Sequence, residues 1–313
     1  MDTLYRKTRK RSSTKNLMQY IGLRVFVTII RLLPLTICML MEKFLGYAAY
    51  LIDRKRCAIA EVNLRYAYGE DLSDFQIQEI IRRSYSHLAS VGIDFIKLPQ
   101  MVNGNNWKHY FEIEGLEFAS KALKEGKGII FVSGHVGNWE VLGCAMEFLF
   151  HQPVHSIAKH MENPFSDRFL TKLREEGGQK IIFAENASRE ILRVLKNNQL
   201  LGILIDQHVR ENGILVDFFG QKAATTRSVA TISLKTGTPV IMLFARRDSR
   251  RYRFKVTLSK PIQIAKTDNL EKDILTLTQK CTNIIESRIR EHPYEWLWIH
   301  RRWKTRPFIA SSP

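Results

Sequence analysis

Ile129-Ile130-Phe131-Val132-Ser133-Gly134-His135-Val136-Gly137-Asn138-Trp139-Glu140 is the stretch on which the fold turns. An apolar, largely β-branched run that stops at a glycine reads as a buried strand, and a helical pattern takes over near Glu140. His135 therefore stands where a strand hands over to a helix. Imidazole titrates near neutrality, so a histidine there can take a proton from a hydroxyl, above all when a carboxylate fixes its tautomer. Glycine and histidine also occupy such turns for geometry alone, and taken in isolation the stretch leaves scaffold and chemistry open.

The same alternation extends outward on both sides. Strands are expected at 110–113, 128–133, 154–158, 180–183, 200–205, 215–219, 240–245 and 252–258. Helices are expected between them at 116–124, 138–150, 164–175, 187–196 and 229–236, with a last one over about 269–290. This order implies βαβ units, hence an α/β fold with a mixed, largely parallel sheet flanked by helices. Ligands of such sheets bind outside the carboxyl ends of the strands, where His135 lies. Asp206 follows the apolar run 200–205 and emerges at a comparable end. It can orient a basic group or an acceptor, or simply form a turn. Two further helices, 54–68 and one from Ser73 or Asp74 to Leu98, precede the first strand, and the apolar stripe of the second reads as core.

Upstream, the composition changes twice. Residues 1–16 carry six Lys and Arg against Asp2 and read as a mobile basic tail. Residues 17–52 are rich in Leu, Ile, Phe and Met, but Arg24, Arg31, Pro34, Glu42 and Lys43 interrupt them. A poor spanning helix, an interfacial pair broken at Pro34, and buried first helices of a soluble domain all fit. The basic tail directly before it favours a membrane anchor against anionic headgroups. Residues 53–313 then form the α/β domain.

The chain's 48 Lys and Arg against 31 Asp and Glu give a formal charge of +17, which promotes association with something polyanionic without choosing it. Four scattered cysteines without a CxxC pair indicate neither a metal site nor a disulfide framework. No GxGxxG or Walker sequence is present, so no nucleotide cofactor is expected.

The histidine, four intervening residues and acid of His135 to Glu140 resemble the lipid A biosynthesis (lauroyl/myristoyl) acyltransferases, late acyltransferases related to glycerophosphate acyltransferases. Further blocks stand in that family's order: Asn163-Pro164 with Arg174 and Gly177; Asp206-Gln207; Phe218-Phe219-Gly220 with Ala224-Thr225-Thr226; Lys235-Thr236-Gly237-Thr238-Pro239-Val240; and Pro293, Trp296, Trp298 and His300-Arg301-Arg302-Trp303-Lys304. One position departs. Where the family often has arginine, this chain has Lys159, which keeps the charge but loses the planar fork.

The resemblance implies a glycerophosphate acyltransferase-like fold and a bacterial inner-membrane enzyme facing the cytoplasm. It implies transfer of a fatty acyl chain from acyl carrier protein to a hydroxyl of a phosphorylated glycolipid, a lipid A precursor, without cofactor or metal. His135 is then the general base and Glu140 holds its other ring nitrogen. Backbone N–H groups near Gly137 and Asn138 receive the oxyanion. Lys159, Arg174, Asp206, Gln207, Arg246 and Arg302, with Asn138, contact substrate. The strand 252–258, with Arg251, Arg253 and Lys255 on one face, is either a half-exposed edge or a landing surface for the acidic carrier protein. Another lipid acceptor, such as a glycerophosphate, a phosphatidylinositol mannoside or an aminolipid, suits the same dyad. A nucleic-acid binder is suggested only by charge and the Trp/Arg-rich end, and no nucleic-acid module is recognisable. A hydrolase using Ser133 lacks the GxSxG elbow.

Overall fold

The structure, a computed structural model, describes residues 13–248 and 252–304. Four helices come first: α1 (Ser13–Leu32), α2 (Leu35–Ile52), α3 (Arg54–Tyr68) and α4 (Asp74–Met101). A single turn, α5 (Trp107–Tyr110), leads into β1 (Phe111–Glu114), α6 (Leu116–Leu123), β2 (Ile129–Ser133), α7 (Leu142–Phe150) and β3 (Val154–Ala158). Next come α8 (Pro164–Glu176), β4 (Gln179–Phe183), α9 (Ala187–Lys196), β5 (Leu200–Leu204) and the hairpin β6 (Gly213–Phe218) and β7 (Gln221–Thr226). The chain closes with α10 (Ser228–Thr236), β8 (Val240–Asp248), β9 (Arg253–Leu258) and α11 (Leu270–Glu291).

Seven strands form one sheet in the order β1-β9-β8-β2-β5-β3-β4. Neighbours from β8 to β4 are parallel, β9 turns antiparallel to β8, and β1 pairs parallel with β9. The mixed, largely parallel α/β architecture expected from the sequence is what forms. β2 and β5 alternate their apolar side chains between two layers. Ile130, Val132, Leu201 and Ile203 pack with α9, α10 and α11, whereas Ile129, Phe131 and Leu200 pack with α6 and α7.

Helix starts follow their caps. Ser73 and Gln76 form a capping box at α4, and the Asn163 side chain accepts from Phe165 N and Ser166 N, with Pro164 at the first helical position of α8. The expected stop of α4 before Pro99 does not hold, because Val102 N still donates to Leu98 O at 3.0 Å and the helix runs to Met101. The helix expected from 138 begins at Leu142. Gly137 adopts a left-handed φ of 64° and Asn138 N donates to Ala245 O at 2.7 Å, so this segment is tied to β8 instead of coiling. β7 was not foreseen as a strand. Nor is 252–258 an edge, since β1 covers it; Lys255 pairs with Glu114 at 2.6 Å and Arg253 approaches Glu112 at 4.0 Å. Its cations are thus opposed by acids of the adjoining strand, and Arg251 lies outside the described residues.

Residues 1–12 of the basic tail also lie outside the described residues, while 13–16 already belong to α1. Val27 and Ile30 of α1 and Cys38 of α2 pack against Ile93 and Ile96 of α4 and Leu173 of α8. The outer faces stay apolar and open: Met18, Leu32, Leu40, Phe44 and Ile52 are all exposed. α2 is long and apolar enough to cross a membrane. Yet it carries Glu42 inward, where Arg247 of β8 grips the carboxylate with both terminal guanidinium nitrogens.

Candidate active site

β2 and β5 are neighbours in register, with Ser133 opposite Leu204. His135 and Asp206 each lie two residues beyond that pair, so the two strands deliver both side chains to one edge. His135 Nδ1 lies 2.8 Å from Asp206 Oδ1, and Asp206 Oδ2 accepts the His135 backbone N–H and the Trp296 indole N–H, both at 2.7 Å. The ring is thereby fixed with its proton on Nδ1. Nε2 is left as the acceptor, with Gln207 Nε2 at 3.2 Å. Burial would lower the His135 pKa. The adjacent Asp206 carboxylate outweighs burial and holds it above the ordinary histidine value, with Glu140 adding to the rise and Arg174 opposing it. Burial likewise works to raise Asp206, but the His135 charge and the donors around the carboxylate bring it down to about 2. The Ser133 hydroxyl turns to Gly134 O, not to the imidazole.

The carboxylate expected on His135, Glu140, sits elsewhere. Its oxygens accept from Arg174 Nη2 at 2.9 Å and Nε at 3.3 Å. The reason is the delayed start of α7: Glu140 lies in the turn before the helix and faces α8, while the ring nitrogen is already occupied by Asp206. The expected oxyanion donors are also engaged, since Gly137 N donates to Glu295 O at 3.1 Å and Asn138 N to Ala245 O. A cleft of about 540 Å³ opens in front of the imidazole, and His135, Glu140, Lys159, Arg174 and Gln207 all line it. Asp206 stands behind them.

Three other candidates fall outside this cleft. Asn138 is buried and its Nδ2 donates to Asp94 Oδ2 at 2.8 Å. Arg246 pairs with Glu295 at 2.9 Å in a smaller recess behind the loop. Arg302 is completely buried, and donates to Ala224 O at 2.6 Å and to the Thr225 hydroxyl. Burial lowers its pKa to about 10, which leaves it cationic at neutral pH. It locks the hairpin β6–β7 to the C-terminal segment. Trp296 and Trp298 are buried in the core, as tryptophans in such a segment usually are.

The chain as a whole finds counterparts among known proteins. A family model described as bacterial lipid A biosynthesis acyltransferase matches residues 5–305. The chain belongs to this family of acyltransferases. It is 24% identical over 282 residues to the lipid A biosynthesis palmitoleoyltransferase of Escherichia coli (strain K12), covering 90% of this chain and 89% of that protein. It is 21% identical over 299 residues to the lipid A biosynthesis lauroyltransferase of the same organism, covering 93% and 92%. A phosphatidylinositol mannoside acyltransferase of Mycolicibacterium smegmatis is 20% identical over 245 residues, 77% of each chain.

In this acyltransferase the loop that carries His135 is held from below by residues that sequence patterning did not single out. His87 and Asp94, seven positions apart on α4, share one helix face. His87, kept neutral by burial, donates from Nε2 to Gly137 O at 2.9 Å, and Asp94 takes the Asn138 amide. Asp94 also accepts from Arg247 Nη1 at 2.7 Å. Arg247 thus ties Glu42 of α2 to Asp94 of α4. One signal for this was legible: an acid in an otherwise apolar segment needs a buried cation.

Proposed function

We propose that this acyltransferase moves a fatty acyl chain from acyl carrier protein to a hydroxyl of a phosphorylated glycolipid, a lipid A precursor. The observation that carries the reading is the imidazole of His135, held by Asp206 through Nδ1 and turning Nε2 to a cleft with two cations, Lys159 and Arg174, in its lining. An acceptor hydroxyl displaces Gln207 from Nε2 and gives up its proton there. Its oxygen attacks the thioester carbonyl, the new C–O bond forms, the C–S bond breaks, and the imidazolium protonates the departing thiolate. Asp206 stabilises that imidazolium. Lys159 and Arg174 meet the acceptor's phosphate, and Glu140 keeps the Arg174 fork aimed into the cleft.

The test is incubation of the purified protein with acyl-loaded carrier protein and a panel of lipid acceptors, read by mass spectrometry. The expected product is a lipid A precursor carrying one more acyl chain. Acylation of a phosphatidylinositol mannoside alone would transfer the reading to the acceptor of the mycobacterial relative.

The open apolar faces of α1 and α2 support association with the bacterial inner membrane from its cytoplasmic side. Because Glu42 binds the sheet, α2 serves this as an interfacial helix that stays docked on the domain. Flotation with vesicles containing anionic lipid checks it. The wild type is expected to float, and Leu40→Asp with Phe44→Asp to sediment. Equal flotation of both would remove the outer face of α2 as the contact.

A further inference from the structure

β5 lies third from the β4 edge of a seven-stranded sheet, a place where both faces are normally packed. On the α7 side it is not. Gly202 and Leu204 of β5, with Ser156 of β3, remain partly open to the same cleft that holds His135. Register shows the depth of this opening. Ser133 and Leu204 form its mouth, Phe131, Gly202 and Ser156 share the next level, and Val154, paired with Leu200, stands at the bottom. From Leu204 to Leu200 is four residues, roughly 13 Å along a parallel strand. The lining of the space thus runs down the sheet from the imidazole to Val154.

Gly202 is what keeps the middle level open. A Cβ there would lie 2.9 Å from Val154 Cγ1 and 3.5 Å from Ser156 Oγ. Strand interiors disfavour glycine because it adds backbone entropy and no packing, so a glycine in a central strand marks a place where something else approaches. We infer that Gly202, with Val154 as the floor, sets the length of acyl chain that this enzyme accepts. The inference rests on the acyl-transfer reading above. In a hydrophobic pocket one methylene more or less changes discrimination by about 10–200-fold.

Two readouts on the full-length protein separate the pocket from the reaction. The first is thermal stabilisation by free saturated fatty acids of graded length, which requires no transfer. The second is product mass from a mixture of carrier-bound acyl donors of the same lengths. Gly202→Ala is expected to lower binding and use of the longest chain accepted by wild type at least 10-fold, with the shortest nearly unchanged. Val154→Ala is expected to move both profiles toward longer chains. Since the added Cβ presses on Val154, the double variant Gly202→Ala/Val154→Ala relieves the clash and is expected to fall between the two single variants. Val154→Ala carries the test where Gly202→Ala alone does not fold. Unchanged length profiles in Val154→Ala and the double variant would overturn the inference, as would losses equal at every length. Length-dependent binding without transfer from any donor would retain the pocket and overturn the donor assignment instead.

Discussion

Asp206→Asn is expected to lower acyl transfer on the order of 10⁴-fold while leaving a folded protein. The asparagine oxygen can still accept the His135 backbone N–H and the Trp296 indole N–H that Asp206 Oδ2 accepts now. The amide nitrogen then faces Nδ1 and donates to it. That reverses the tautomer, places the proton on Nε2 and removes the lone pair that must receive the acceptor's proton. The pH profile gives the sign independently. In the wild type Asp206 holds the His135 pKa above its ordinary value, and the base works only when neutral, so kcat/KM falls as pH drops through that raised pKa. Without the carboxylate charge, burial acts with little opposition and lowers the pKa. The acid limb of the residual activity in Asp206→Asn is therefore expected at lower pH than in wild type. Initial rates across pH, with circular dichroism to confirm folding, measure both effects. An acid limb that stays in place would assign it to another group.

Arg247→Met is the second large effect, and it concerns stability. Arg247 is 11% exposed and bridges Glu42 and Asp94, which are 8% and 0% exposed as side chains. Removing one partner of a buried ion pair leaves an uncompensated charge and costs about 3–5 kcal/mol. Burial already pushes Asp94 up to about 7 against the pull of Arg247, so without the arginine this carboxyl takes up a proton near neutral pH. The loss spreads to the site, because Asp94 also holds Asn138 in the loop that carries His135. Thermal unfolding in detergent is expected to show a large drop in midpoint. Arg247→Lys, which keeps the charge without the fork, is expected to be intermediate. A midpoint within a degree of wild type for Arg247→Met would show that the bridge contributes nothing net to the fold.

What the sequence made legible follows from how local each signal is. His135 and Asp206 were readable because each ends an apolar β-rich run, and a parallel sheet brings such ends to one side. Their direct contact depended on β2 and β5 being neighbours, which no local pattern states. Glu140 was misplaced for a related reason. Its spacing from His135 suits a dyad, but Gly137 and Asn138 are bound to β8 and α4, and the helix that would have carried Glu140 starts later. Arg302, which read as a substrate contact, and Thr225 stand 77 positions apart in two separate blocks of the sequence, and they turn out to bind one another. Glu42 and Arg247, 205 positions apart, are joined only by the tertiary fold. Side chains whose meaning lies in a distant partner stay silent until the chain is folded.

We propose His135 as the base of acyl transfer. This role is tested most directly by the rate at which purified His135→Ala, matched to wild type for folding and vesicle binding, acylates a lipid A precursor from acyl-loaded carrier protein. A loss on the order of 10²–10⁴-fold is predicted. Transfer at a rate near wild type would remove His135 from that role.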